Sequence, residues 1–150
     1  MIDRGELRID RTDSADAPLL AQLNCQLDED EPHPYPLGMP ALTARMARWI
    51  ETGEYHVLLF RRGDRVAGYA VWRMEEQGAF LRQFFICRDQ RREGLGRAAM
   101  ALLCRDVFPK DRPLYLEAAI WNQKAIDFWH AIGFEDFGLS LELKAGKTVK

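Results

Sequence analysis

An α/β (α+β) fold, with one mixed and mainly antiparallel sheet flanked by helices, is what this sequence predicts, and three observations predict it. Apolar residues recur at helical spacing in the first third, at a period of two through the middle, and at helical spacing again after residue 94. The three middle runs, 56–60, 66–74 and 79–87, are separated only by short polar turns, which favours an antiparallel meander. The last third alternates helix, strand, helix and strand, so the order is not a simple βαβ series. With 150 residues, 47% hydrophobic and 29% charged, the chain predicts a single domain over 1–150, its core over about 7–143 and a flexible basic tail over 144–150. A chain of this length buries about 68–70% of its unfolded surface and needs neither disulfides nor a structural metal to fold.

Each element has a local cause. Leu7-Arg8-Ile9-Asp10 alternates as a short strand. Ser14 or Asp16 offers an N-cap, with Pro18 in the first turn, for a helix carrying Leu20, Leu23 and Leu27. Asp28 to Pro40 holds four consecutive acids and four prolines and reads as a loop, because proline lacks the amide donor a helix needs. From Ala41, Leu42, Met46, Trp49 and Ile50 form one helical stripe that Gly53 ends. Arg45 interrupts that stripe, and its stem can lie along apolar surface with its head in water. The meander follows, with turns at Arg62-Gly63-Asp64-Arg65 and Glu75-Glu76-Gln77-Gly78. Leu95, Ala98, Ala99, Leu102 and Leu103 keep helical spacing up to Phe108-Pro109, and Leu114 to Ala118 reads as a strand. Asn122 caps a last helix with Ala125, Phe128, Trp129 and Ile132 on one face, ended by Gly133, and Phe134 to Leu143 is expected to close the sheet.

Composition narrows the function. The balance of 21 Lys and Arg against 23 Asp and Glu, net −2, gives no field suited to coating nucleic acid or a membrane surface. Cys25, Cys87 and Cys104 are odd in number and widely spaced, without C-x-x-C or a nearby histidine pair, so neither a disulfide framework nor a metal site is expected; each reads as a small buried hydrophobe. A charged start and the absence of any stretch near 18 apolar residues predict a cytoplasmic protein with reduced thiols.

The most informative stretch is Gln90-Arg91-Arg92-Glu93-Gly94-Leu95-Gly96-Arg97, lying between a strand and the first turn of a helix. Glycine lets backbone approach a ligand, first-turn amides lack intrahelical acceptors, the helix dipole favours negative charge, and arginine supplies paired donors. Together they describe an anion site. Gly94-x-Gly96-x-x-Ala99, with Glu117 about twenty residues on, also fits the dinucleotide-binding pattern. Its context does not fit: the polar run Arg88 to Glu93 separates strand from glycine, and too little chain remains to build a second nucleotide half. A P-loop fails for want of its Gly-Lys-Ser/Thr end.

Arg91-x-x-Gly94-x-Gly96 after an apolar strand, followed by Asn122-x-x-Ala125-x-x-Phe128-Trp129-x-x-x-Gly133-Phe134, resembles the GNAT-type N-acetyltransferases, and the likeness in element order runs from about Leu7 to Leu143. The resemblance implies acetyl-CoA as co-substrate, no metal, and acetyl transfer to a primary amine by direct attack. It implies that Arg91, Arg92, Glu93, Gly94, Leu95, Gly96 and Arg97 cradle the pyrophosphate. It further implies that Phe84, Phe85 and Ile86 pair with the pantetheine as an added strand, and that Asn122 and Trp129 flank the thioester arm.

Two departures from the family pattern stand out. Trp129 occupies the position where many relatives carry an acidic tyrosine, and an indole donates a hydrogen bond but is no acid near neutrality. Strict alternation puts Phe80, Arg82, Phe84 and Ile86 on one face of the strand before the loop, with Leu81, Gln83, Phe85 and Cys87 on the other, so that strand offers no carboxylate base. Glu117, on the next strand, is the nearest substitute, and His130 points away from the Trp129 face. The run containing Asp30 and Glu31, followed by Tyr35, is expected to attract a cationic small-molecule or peptide amine as acceptor. A CoA-binding regulatory module with weak or no catalysis is the alternative. No nucleic-acid or membrane partner is expected, and an exposed edge at 137–143 leaves a homodimer open.

Overall fold

A computed structural model describes residues 6–91 and 93–150 of the chain. The chain divides into two compact units, Met1–Ala119 and Ile120–Lys150, described in turn.

In the first unit, β1 (Leu7–Arg11) leads through a 3-10 turn at Ser14–Asp16 into α1 (Ala17–Asp30) and α2 (Met39–Thr52). The strands β2 (His56–Arg62), β3 (Arg65–Glu75) and β4 (Gly78–Ile86) follow, then α3 (Leu95–Asp106) and β5 (Leu114–Tyr115). The five strands stand in sequence order in one sheet, antiparallel except for the β4–β5 pair. This is the mixed, mainly antiparallel sheet that the period-two runs predict.

Some boundaries differ from the sequence reading, each for a local reason. Asp16 holds the N-cap position of α1, as expected, but its side chain serves the preceding 3-10 turn: the Asp13 carboxylate accepts from the Ala15 amide at 2.9 Å while Asp16 accepts from the Asp13 amide at 2.9 Å, a reciprocal capping box. α1 runs on through Asp28, Glu29 and Asp30 and stops only before Pro32. α2 starts at Met39 and carries Pro40 in its first turn, where a missing amide costs nothing. Gly53 ends it in the left-handed conformation, φ 72°.

One core cluster joins the sheet to α1 and α2: Leu20, Leu23, Met46, Trp49, Leu59, Tyr69, Val71 and Phe85 are among its members. Each fully buried side chain of this size contributes roughly 1.5–3 kcal/mol. Inside the cluster a polar network resolves the anomaly of Arg45. Its guanidinium does not go to water: Arg45 Nη2 donates to Asn24 Oδ1 at 2.8 Å, and Asn24 is fully buried. Gln83 donates to the same oxygen at 3.3 Å and accepts from the Tyr69 hydroxyl at 2.9 Å. Buried polar groups are tolerated where they satisfy one another, and in this network Arg45 Nε alone is buried without a hydrogen-bond partner among the described residues. On the other side of the sheet Phe84 meets Phe60, and Trp72 meets Phe108.

β3 and β4 approach closely at Gly68, where a Cβ would fall 2.0 Å from the Phe85 carbonyl oxygen, so only glycine fits. Cys87 is buried as expected, Cys25 is half-buried and Cys104 is exposed on α3, a correction to the reading of all three as core.

In the second unit, α4 (Gln123–Ala131) starts at Asn122, whose Oδ1 accepts from the Ala125 amide at 3.2 Å. Gly133, φ 113°, follows its end. Trp129 packs edge-on against Phe128 and Phe134. The strand expected at Phe134 to Leu143 does not form, and Leu114 to Ala118 is a strand only at its first two residues. Alternation marks a segment able to pair, but a strand exists only where a ladder of hydrogen bonds forms. No helix among the described residues is long and apolar enough to cross a membrane.

Candidate active site

β4 carries an irregularity that strict alternation hides. Val71 pairs with Gln83 and Trp72 with Leu81, so Arg82 is an extra residue with no opposite number on β3. Such a bulge bends its strand and re-aims side chains. Arg82 and Gln83 consequently lie on the same side of the sheet: Arg82 donates to the Tyr55 hydroxyl at 3.0 Å, and Gln83 reaches Asn24 of α1. This corrects the face assignment made from periodicity, in which Arg82 shares a face with Phe84 and Ile86. The parallel ladder to β5 covers only Ala79 and Phe80, just before the bulge. Beyond Arg82, the residues Phe84, Phe85 and Ile86 pair with β3 alone among the described strands.

At the far end of β4 the chain passes through a 3-10 turn, Arg88–Gln90, into the glycine loop. Gly94 adopts φ 72°, ψ 15°, a left-handed conformation that a β-branched residue enters only under strain, and as the N-cap of α3 it brings no capping side chain. Leu95 is buried beneath the helix start, while Gly94 and Arg97 are exposed and Gly96 half-buried. Arg92 lies outside the described residues.

The loop's arginines are met by the chain's own acids. Arg91 Nε donates to the Ile86 carbonyl at 2.9 Å, Nη2 to Asp30 at 2.7 Å, and its guanidinium lies 5.1 Å from the centre of the Phe85 ring. Arg88 bonds Glu29 and Asp30, each at 3.0 Å, and Arg62 bonds Glu93 at 2.8 Å. Burial would raise the Asp30 carboxyl, but hydrogen bonds from Arg91 and Arg88 outweigh it and hold that group below the usual carboxylate range.

A cavity of about 600 Å³ opens beside the β4–β5 contact. Phe80 and Arg82 come to it from β4, Arg73 and Glu75 from β3, and Tyr115 and Glu117 from β5 and the residues after it. Glu75 accepts short hydrogen bonds from Tyr115 and, at 2.9 Å, from Arg73, which hold its carboxyl low. Burial and that bond to Glu75 push the Tyr115 hydroxyl up to about 12, so it stays protonated at neutral pH. Glu117 is exposed and makes no hydrogen bond or ion pair among the described residues.

The sequence-predicted residues are thus distributed unevenly. Arg91, Glu93, Gly94, Leu95, Gly96 and Arg97 share one loop and helix start next to the end of β4, and Glu117 lines the cavity. Asn122 and Trp129 belong to the second unit. Asp30 is engaged by Arg88 and Arg91, the Glu31 amide closes α1 on the Leu27 carbonyl at 2.8 Å, and Tyr35 is 79% exposed. None of these three lines the cavity; from their loop His33 does. Arg73, Glu75, Arg82 and Tyr115 escape sequence reasoning, because only the bulge and the short β4–β5 pairing bring them together. No group of three or more metal-ligating side chains occurs among the described residues.

Comparisons with known proteins agree with this architecture. An acetyltransferase of Thermus thermophilus superposes with a TM-score of 0.71 at 23% identity, over 89% of this chain and 90% of that one. A predicted acetyltransferase of Clostridium acetobutylicum, solved with acetyl-CoA, gives 0.68 at 14% identity, over 93% and 96%. The ribosomal-protein-alanine N-acetyltransferase of Brucella melitensis biovar Abortus 2308 gives 0.71 at 14%, over 93% and 99%. At such identities the likeness is one of fold. No curated protein matches the chain. The sequence pattern of the Acetyltransferase (GNAT) family matches residues 21–134, from within α1 to just past α4, and the chain belongs to that family.

Proposed function

We propose that the chain is an acetyl-CoA-dependent N-acetyltransferase that passes an acetyl group to a primary amine by direct attack. The observation that carries this reading is the parting of β4 from β5 at the bulged Arg82, beside a cavity whose wall includes Glu117. The β4 segment at Phe84, Phe85 and Ile86 suits an extended arm held by main-chain bonds. The uncapped start of α3 after left-handed Gly94 suits a pyrophosphate, with Arg91 and Arg97 as the nearby cations.

Acetyl-CoA supplies a thioester carbonyl; the new C–N bond replaces the C–S bond, and CoA leaves as the thiol. An amine of pKa ~10.4 is almost wholly protonated at neutral pH. In this reading Glu117, on the cavity wall, takes its proton directly or through one water, which leaves the nitrogen lone pair free to attack. Tyr115 keeps its own proton, donating a hydrogen bond to the Glu75 carboxylate, and so holds the cavity wall rather than titrating near neutral pH. Trp129 offers an N–H donor but no acid.

Calorimetric titration with acetyl-CoA, CoA and NADH at moderate salt tests the reading. Acetyl-CoA and CoA are expected to bind alike and NADH not at all, and Gly94→Val is expected to weaken acetyl-CoA binding roughly tenfold or more by straining the loop. An amine panel then separates an enzyme from a CoA-binding module, because only the enzyme makes amide and free thiol. Binding of NADH alone, or of nothing, overturns the proposal.

A further inference from the structure

The chemistry of the acceptor is written in how Arg82 is held, an inference that rests on the acetyl-transfer reading above. Its guanidinium carbon lies 5.1 Å from the centre of the Trp49 ring and 5.2 Å from that of Tyr55, and Nη1 donates to the Tyr55 hydroxyl at 3.0 Å. Trp49 and Tyr55 are themselves buried, their rings tilted against each other with centres 4.9 Å apart. The side chain is therefore fixed by aromatic faces and one hydroxyl, and no carboxylate pairs with it among the described residues. Its environment adds further positive charge. Arg45 lies 4.6 Å from the centre of the Trp49 ring, and Arg73 lies 4.4 Å from that of Tyr55. Arg73 pairs with Glu75, which Tyr115 shares, and the Asp28 carboxylate acts on Arg45.

A guanidinium that is held in place, open to solvent and without a carboxylate partner among the described residues is prepared for a planar oxyanion, to which its fork can donate two parallel bonds. Glu117, on the β5 side of the same cavity, is the complementary group for an ammonium. We propose that the acceptor is a small amino acid, a molecule bearing both an amine and a carboxylate, whose carboxylate is bound by Arg82 while its amine faces Glu117. This replaces the cationic amine that the acidic run at 28–31 suggests, because Glu29 and Asp30 are spent on Arg88 and Arg91. A cavity of about 600 Å³ falls in the range usual for small ligands.

The experiment pairs each amino acid with its decarboxylated amine, phenylalanine with phenethylamine and lysine with cadaverine, and uses the full chain. Acetylation is followed by thiol release from acetyl-CoA, and binding is measured separately by calorimetry with CoA present and no turnover. The native protein is expected to favour the amino acid of each pair by about tenfold or more in kcat/KM or affinity. Arg82→Gln is expected to bring that ratio near one, and Arg82→Lys, which keeps the charge without the fork, to an intermediate value. A thermal melt of each variant checks that it is folded, and a ratio abolished in Gln but partly kept in Lys excludes simple misfolding. Equal or better use of the decarboxylated amines, or no binding of either member of any pair, overturns the proposal. Amino acids that bind through Arg82 but are never acetylated sustain the carboxylate site and defeat the acetyl-transfer reading instead.

Discussion

Two arginine-bearing regions of this molecule are built on opposite plans. In the glycine loop, Arg88 and Arg91 each meet Asp30, and Arg62 meets Glu93, so positive charge is cancelled by the chain's own carboxylates. In the cavity, Arg82 is held by Trp49 and Tyr55 and meets no carboxylate among the described residues. The first plan favours folding, because charge-assisted bonds close the turn between β4 and α3. A phosphate arriving there meets the backbone amides at the start of α3 and reaches Arg91 only in competition with Asp30. The second plan keeps a cation oriented without neutralising it, which costs stability through like-charge crowding and preserves binding capacity. Residue type alone does not tell an anion-binding arginine from a structural one; the identity of its partners does.

The largest effect that sharpens the contrast comes from the cavity. Glu117→Gln is expected to lower kcat by about 10²–10⁴-fold, the usual contribution of a positioned base, while calorimetric affinity for acetyl-CoA stays within about twofold. Equal loss of both would move Glu117 out of the acceptor side. A smaller change is expected in the loop. Asp30→Asn frees Arg88 and Arg91 and removes a negative charge, so CoA affinity is expected to rise about three- to tenfold at low salt and less at high salt. A fall in affinity would show instead that Asp30 holds the loop in its binding shape.

The smallest effects are in stability against pH, and the two regions respond at opposite ends of the scale. The Asp30 carboxyl sits below its usual 3.8 in the folded chain. Its contribution is therefore present above that value and is lost as pH falls through the folded pKa. The Tm difference between native protein and Asp30→Asn is expected to shrink on acidification below about pH 4. Tyr115 is raised from 10.0 to about 12, so its contribution is complete below 10 and disappears as pH rises towards 12. Native protein and Tyr115→Phe should accordingly converge in Tm across that alkaline window. A difference that persists through it would mean that Tyr115 acts through packing alone.

Much of the fold is legible in the sequence because its causes are local. Helical spacing marks α1, α2, α3 and α4, two-residue turns mark the meander, and Gly53 and Asn122 mark a helix end and a helix start through their own backbone and side-chain chemistry. The glycine loop is legible for the same reason, since Gly94 needs its left-handed angle whatever surrounds it. The cavity is not. Arg82 reads as one more alternating residue until its partner strand is known, because a bulge is a property of two strands together. Tyr115 and Glu75 are 40 residues apart in the chain, and nothing local ties them. The acids at 28–31 look like bait for a cation until the arginines that meet them are placed. The segment at 134–143 shows the converse error, a correct period with no ladder to realise it.

The extra residue at position 82 also acts as a change of parity in the chain. Before it, odd positions of β4 face one side of the sheet and even positions the other; after it they have exchanged sides, and the ladder to the parallel neighbour has ended at Phe80. Removing that one residue would restore strict alternation, exchange the faces of the residues before it relative to those after it, and take from the cavity its Arg82 guanidinium. In this sheet the place where chemistry can happen is set by a count of residues as much as by their kinds.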